Sequence, residues 1–143
     1  MDAARRLRDA QATKEDHILP SSDLAAIEAV LQTYFDGLYE GDTDKLGSAF
    51  HPCAHLYWDK DGQVGDLPRE EWFALVKSRG SPKAMGLARQ DRILSIHFSG
   101  PETAMATVNC QIPPRYFNDY LSLLKVGGRW LIVQKVYAVE VRP

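Results

Sequence analysis

Thr103-Ala-Met-Ala-Thr-Val-Asn-Cys-Gln-Ile112 is the stretch that decides the fold. Ala104, Ala106, Val108, Cys110 and Ile112 fall on one face, and Met105, Thr107, Asn109 and Gln111 on the other. Unbroken period-two alternation marks a strand, because successive side chains point to opposite faces of a sheet. Downstream, Pro113-Pro114 interrupts the run, Arg115–Val126 reads as a long strand, Gly127-Gly128 as a hairpin turn, and Arg129–Val141 as the last strand. Upstream, Leu87–Phe98 carries Ile93, Leu94, Ile96 and Phe98 and ends at the turn Ser99-Gly100-Pro101. The second half of the chain is therefore a run of antiparallel strands.

The first half changes period. Ile27, Val30, Leu31, Tyr34, Phe35 and Leu38 form a helical stripe. Ser21, Ser22 and Asp23 offer N-caps for it, and Gly41 ends it. Gly37 lies inside, at a cost of about 1 kcal/mol relative to Ala. Asp42 or Thr43 caps a short second helix to about Phe50, where Pro52 blocks continuation. Ala54–Trp58 and Gln63–Leu67 flank the turn Asp59-Lys-Asp-Gly62 as a short hairpin. Pro68 opens a third helix, Arg69 to about Arg79, with Trp72, Phe73, Leu75 and Val76 on its apolar side. This order predicts an α+β fold, three N-terminal helices packed on one face of a curved antiparallel sheet.

The 143 residues suit one domain, expected over 22–143, with 1–21 as a flexible tail. No apolar run approaches the ~20 residues of a membrane helix. The net charge of −2 gives no sign of a nucleic-acid surface. The N-terminal residues lack an apolar signal segment, so the expected location is cytoplasmic. Cys53 and Cys110 are expected as reduced thiols.

Several segments resemble the nuclear-transport-factor-like superfamily with its cone-shaped fold: Tyr34-Phe35, Gly41-Asp42, Ala49-Phe50-His51-Pro52, Asp119-Tyr120-Leu121 and Gly127-Gly128-Arg129-Trp130 through Val136. The last of these are most similar to its lumazine-binding group. The resemblance implies a sheet wrapped around three helices, a cavity inside the cone, and a homodimer formed through the outer sheet face. It also implies a small hydrophobic or aromatic ligand. The superfamily holds isomerases, dehydratases, polyketide cyclases and binding modules, so the fold alone names no reaction.

Compared with the ketosteroid isomerase pattern, the helix-1 tyrosine matches Tyr34 and the protonated acid matches Asp119, while the general-base position falls on Trp58. The same comparison turns Met105, Thr107, Asn109, Val133, Lys135 and Tyr137 toward the cavity and puts the Ala/Val/Cys face of their strand outside. Periodicity by itself leaves either face of 103–112 open. Lys135, in an otherwise apolar strand, must pair, snorkel or titrate; an ion pair with Asp119 across neighbouring strands is one reading, and an edge lysine with its head in solvent is the other. The expected ligand-binding set is Tyr34, Trp58, Thr107, Asn109, Asp119, Lys135 and Tyr137. Tyr116 and Tyr120 are further candidates for stacking a flat ring.

Three functions fit these residues. One is a dimeric small-molecule-binding domain. A second is an enzyme of isomerase, dehydratase or cyclase type, with Asp119, His51 or Asp59 as acid or base and Tyr34 beside them. The third is an assembly scaffold. His51, Cys53 and His55 alternate as metal ligands would, but no second ligand cluster accompanies them, so no metal is expected. No nucleophile elbow and no Gly-rich phosphate loop is present, and no cofactor is expected.

Overall fold

The computed structural model describes residues 19–143; the expected tail over 1–21 falls almost wholly outside the described residues. The chain runs through helix α1 (Leu19–Glu40), helix α2 (Thr43–Ala49), strands β1 (Phe50–Lys60) and β2 (Gln63–Pro68), and helix α3 (Arg69–Ser78). Strands β3 (Asp91–Phe98), β4 (Thr103–Ile112), β5 (Arg115–Val126) and β6 (Arg129–Val141) complete it. The architecture is α+β, with one six-stranded sheet in the order β2-β1-β6-β5-β4-β3. Neighbours are antiparallel except β1 and β6, which run parallel.

Local chemistry explains most boundaries. Asp42 caps α2 by accepting from the N–H groups of Asp44 and Lys45. Gly37 permits a close approach: a Cβ there would lie 2.8 Å from Leu46 Cδ2, so α1 and α2 pack only over a residue without one. Asp23 departs from the expected role. Helix α1 begins at Leu19, so Asp23 is inside it. Its carboxylate accepts from Trp130 Nε1 and Lys125 Nζ, both at 3.0 Å, and fastens the helix to the far hairpin of the sheet.

The sheet curves at its irregularities. In β6, Ser122 faces Gln134 while Leu123 faces Ile132, so Val133 is an extra residue. A bulge of this kind bends the strand and resets which side chains point inward. Ile132, Lys135 and Tyr137 consequently face the helices. A second bulge at Leu94 turns both Ile93 and Ile96 toward the core. A larger irregularity falls between Phe50 and His55, around Pro52.

The core fills the concave side. Tyr34 of α1 meets Phe50 of β1 edge-on at 5.3 Å, and Phe50 meets Trp72 of α3 at 5.0 Å. Ala104, Ala106 and Val108 of β4 are buried beneath this layer. That overturns the expected orientation of β4: the Ala/Val/Cys face is the inner one, and Met105, Thr107 and Asn109 belong to the outer face. No helix among the described residues is long and apolar enough to cross a membrane.

Candidate functional site

Four inward-facing residues build a polar centre in this core. Asp119 on β5 lies opposite Tyr137 on β6, and Leu121 lies opposite Lys135. Asp119 and Lys135 are thus diagonal neighbours on one sheet face. Tyr34, one turn past Leu31 on the buried stripe of α1, comes down on the same point. Its hydroxyl donates to Asp119 Oδ2 at 2.5 Å. Lys135 Nζ sits 3.7 Å from the same oxygen, and the Cys110 thiol donates to it at 3.9 Å. Tyr34 is 0% exposed, Asp119 1% and Lys135 4%. Asp119 Oδ1 is buried without a hydrogen-bond partner among the described residues.

Aromatic rings surround the lysine. Its ammonium is 4.7 Å from the centre of the Tyr137 ring, 5.3 Å from Tyr34, 5.4 Å from Trp72 and 5.9 Å from Phe117. Ring faces carry negative potential and hold a desolvated cation. Burial, and then the Asp119 charge, raise the Tyr34 phenol well above its usual pKa. The same causes in the same order raise Tyr137. The Cys110 thiol is pushed up to about 12, chiefly by burial and next by Asp119. At neutral pH these three groups are neutral donors.

A cavity of 190 Å³ opens beside this centre, between α1, α3 and the sheet. Phe35, Trp72, Phe117 and Tyr137 supply its aromatic wall. Lys135 and Cys110 supply its inner polar edge, and Arg79, Arg89 and Arg115 stand around it. Arg89 is tied to Asp36 at 2.6 Å and to Asp91 at 2.7 Å. The volume is below the ~300–1,000 Å³ of drug-sized sites and suits a small molecule.

The expected site residues divide into three groups. Lys135 and Tyr137 border the cavity. Tyr34 and Asp119, expected on the lining, bond to one another and lie behind the wall rather than on it. Trp58, Thr107 and Asn109 are elsewhere. Trp58 covers Gly65, where a Cβ would fall 2.2 Å from the indole, and it reaches the site only through its contact with Tyr137 at 5.7 Å. The Thr107 hydroxyl pairs with Ser95 at 2.5 Å across the outer face, and Asn109 shares that face. Tyr120 is 62% exposed there, and Tyr116 packs under Arg142.

His51 also stands apart from the cavity, with Nδ1 accepting from the Cys53 N–H. His55 and Asp66 pair at 2.6 Å on the β1–β2 hairpin, and Asp59 caps the turn by accepting from Gly62. Sequence reasoning missed Trp72, Arg79, Arg115 and Phe117 as cavity residues. Trp72 and Phe117 carry no signal that separates a cavity wall from a core. The two arginines lie at element ends far apart in sequence, and only the fold unites them.

The cone of three helices and a curved sheet defines a protein of NTF2-like fold, as the comparisons confirm. An NTF2-like protein of unknown function from Silicibacter pomeroyi superposes with a TM-score of 0.75 at 26% identity, covering 85% of this chain and 98% of that one. One from Shewanella baltica gives 0.77 at 25% identity, covering 85% and 97%. Residues 22–138 match the family described as Putative lumazine-binding, and the chain belongs to that family. A curated relative, the aldolase FrzH of a Cladobotryum species, is 22% identical over 121 residues, covering 83% of this chain and 93% of that protein.

Proposed function

We propose that this protein binds a small aromatic or hydrophobic carbonyl compound inside the cone, with the carbonyl oxygen accepting a hydrogen bond from Lys135, and that it works as a homodimer paired through the outer sheet face. The observation that carries the reading is the placement of Lys135: a buried ammonium, held by Asp119 and four rings, at the inner edge of a cavity with aromatic walls. Around that edge every group with a proton to spare is a donor. The one carboxylate among the cavity-lining residues, Asp91, is engaged by Arg89. A ligand that presents oxygen acceptors fits this chemistry, whereas a site for proton abstraction needs a free base within reach.

A second reading, in which the bound carbonyl compound is turned over in an aldol-type reaction, is favoured by the name of the Cladobotryum relative. In such a reaction a donor fixed at the carbonyl oxygen would stabilise the negative charge that develops there as a carbon nucleophile adds to the carbonyl carbon; the cavity lining offers no free base to form that nucleophile, so it would have to arrive as an enol. The readings with Asp119 or His51 as acid or base have less support. Asp119 is sealed behind Tyr34 and Lys135, and His51 is outside the cavity wall.

The test is titration with phenylacetone, followed by tryptophan fluorescence and by shifts in ligand NMR signals. The comparison is the double variant Lys135→Met with Asp119→Asn, which leaves no charge buried without a partner. Folded double variant with affinity reduced about tenfold or more, the worth of one hydrogen bond to a charged donor, is the expected result. Equal affinity in both proteins would overturn the role given to Lys135.

A further inference from the structure

The cavity is electropositive in a protein that is not. The chain carries a net charge of −2, yet the cavity is lined by four cationic side chains, Arg79, Arg89, Arg115 and Lys135, against the single carboxylate Asp91. Two of the four are accounted for: Lys135 by Asp119, and Arg89 by Asp36 and Asp91. Arg79 and Arg115 have no carboxylate within salt-bridge distance among the described residues. Arg79 follows the last turn of α3, and Arg115 opens β5 after the Pro113-Pro114 corner. Both stand on the wall with Phe117 and Tyr137.

Both residues line the same cavity, each with its side chain partly open to solvent. The Arg79 guanidinium binds its proton less firmly than usual, first because of partial burial and next because of the charge on Arg115. Like charges brought to one concave surface without an anion between them raise its potential, and low-dielectric walls concentrate that field. A guanidinium presents a planar fork that matches a carboxylate. Arg79 and Arg115 thus offer two forks on the wall of the small aromatic cavity that Lys135 also lines.

Building on the carbonyl reading above, we infer that Arg79 and Arg115 form a carboxylate subsite, and that the ligand is a small aromatic oxo acid spanning from this subsite to Lys135. The carboxylate lies between the two arginines, the ring stacks on the wall of Trp72, Phe117 and Tyr137, and the carbonyl oxygen faces the ammonium. The arginines choose the class of ligand, and Lys135 fixes its orientation.

A matched pair of probes separates this inference from the reading it rests on. Phenylpyruvate and phenylacetone share the ring and the ketone, and differ in a carboxylate against a methyl group. Titration of both is followed by tryptophan fluorescence at low and at physiological salt. Phenylpyruvate is expected to bind at least tenfold more tightly, with an advantage that shrinks as salt rises. Arg79→Gln and Arg115→Gln should each weaken phenylpyruvate about three- to tenfold more than they weaken phenylacetone, with unaltered thermal unfolding. If both probes bind equally, and both variants leave phenylpyruvate unaffected, the carboxylate subsite is overturned while the carbonyl reading stands. If neither probe binds, both fall.

Discussion

A carboxylate and an ammonium packed among aromatic rings lose most of their hydration, and their mutual attraction must offset that loss. At 3.7 Å, with one carboxylate oxygen left without a donor, the Asp119–Lys135 pair is a poor candidate for a net stabiliser. Asp119→Leu or Lys135→Met alone should cost about 3–5 kcal/mol, because each strands a buried charge. The double variant should be destabilised less than either single, by about 1–3 kcal/mol in urea denaturation, since two apolar residues of similar size strand no charge and only the Tyr34 hydroxyl loses its acceptor. A double variant as unstable as the sum of the singles would show instead that the pair holds the fold together. The lysine stood out in the sequence because a charge in Leu131–Tyr137 has few ways to exist in a strand otherwise so apolar, and a pair with Asp119 was one of two readings left open for it. Thr107 and Asn109 were not legible, because alternation reveals two faces without saying which one the helices will cover. The small residues of β4 suited an outer interface or a core floor equally, and the fold buries Ala104, Ala106 and Val108 in the core cluster.

At the scale of elements, the sequence showed helices, strands and turns to within a few residues, since capping, hydrophobic period and turn chemistry act locally. It did not show the bulges. One extra residue at Val133 shifts the parity of β6 without changing its composition, so Ile132 rather than Val133 joins Lys135 inside. Asp23 escaped for a related reason. Beside Ser21 and Ser22 it reads as a local cap, yet its partners, Trp130 and Lys125, are over a hundred positions away. The Trp130 indole N–H, and then the Lys125 ammonium, hold the Asp23 carboxyl below the usual aspartate pKa. A carboxyl depressed in the folded state contributes stability that is complete above its unfolded value, near 3.9, and is lost as pH falls through the folded value. The Asp23 side chain is partly exposed, so solvent screening limits the effect. Asp23→Asn should therefore lower stability by about 1 kcal/mol at pH 7, and the gap should narrow as the pH is taken from 5 toward 2. Urea unfolding of both proteins across that range measures it. A gap that stays constant would mean that the carboxylate charge is not what fastens α1 to the β5–β6 hairpin.

At the scale of the whole molecule, the sheet presents two contrasting faces back to back. Inward side chains of β5 and β6 make the polar centre, and the residues between them make the outer face. On that face His97, Met105, Ser122 and Gln134 form one rung, and Ser95, Thr107, Tyr120 and Val136 the next. Tyr120, Met105 and Val136 are exposed, and these two rungs carry no Lys, Arg, Asp or Glu. Exposed aromatic and methionine side chains with few charges are the composition of an interface centre rather than of a solvated strand. Pairing there would leave the cavity free, because the cone opens on the opposite side of the sheet. The protein should therefore sediment at twice its 16.1 kDa chain mass. Tyr120→Glu, with a charge at the centre of the patch, should raise the dissociation constant of the dimer by about 30-fold or more, as expected for loss of a central aromatic contact. Sedimentation equilibrium measures both quantities. Because the side chain points away from the core, the variant should keep the parent's thermal unfolding when both are compared as monomers. It should also keep phenylacetone binding. A parent that is monomeric at millimolar concentration, or a variant that dimerises as well as the parent, would remove the outer face as the interface. Loss of ligand binding on monomerisation would instead tie the two faces together: Tyr120 is flanked on β5 by Asp119 and Leu121, so a dimer that stiffens this strand also steadies the carboxylate that holds Lys135.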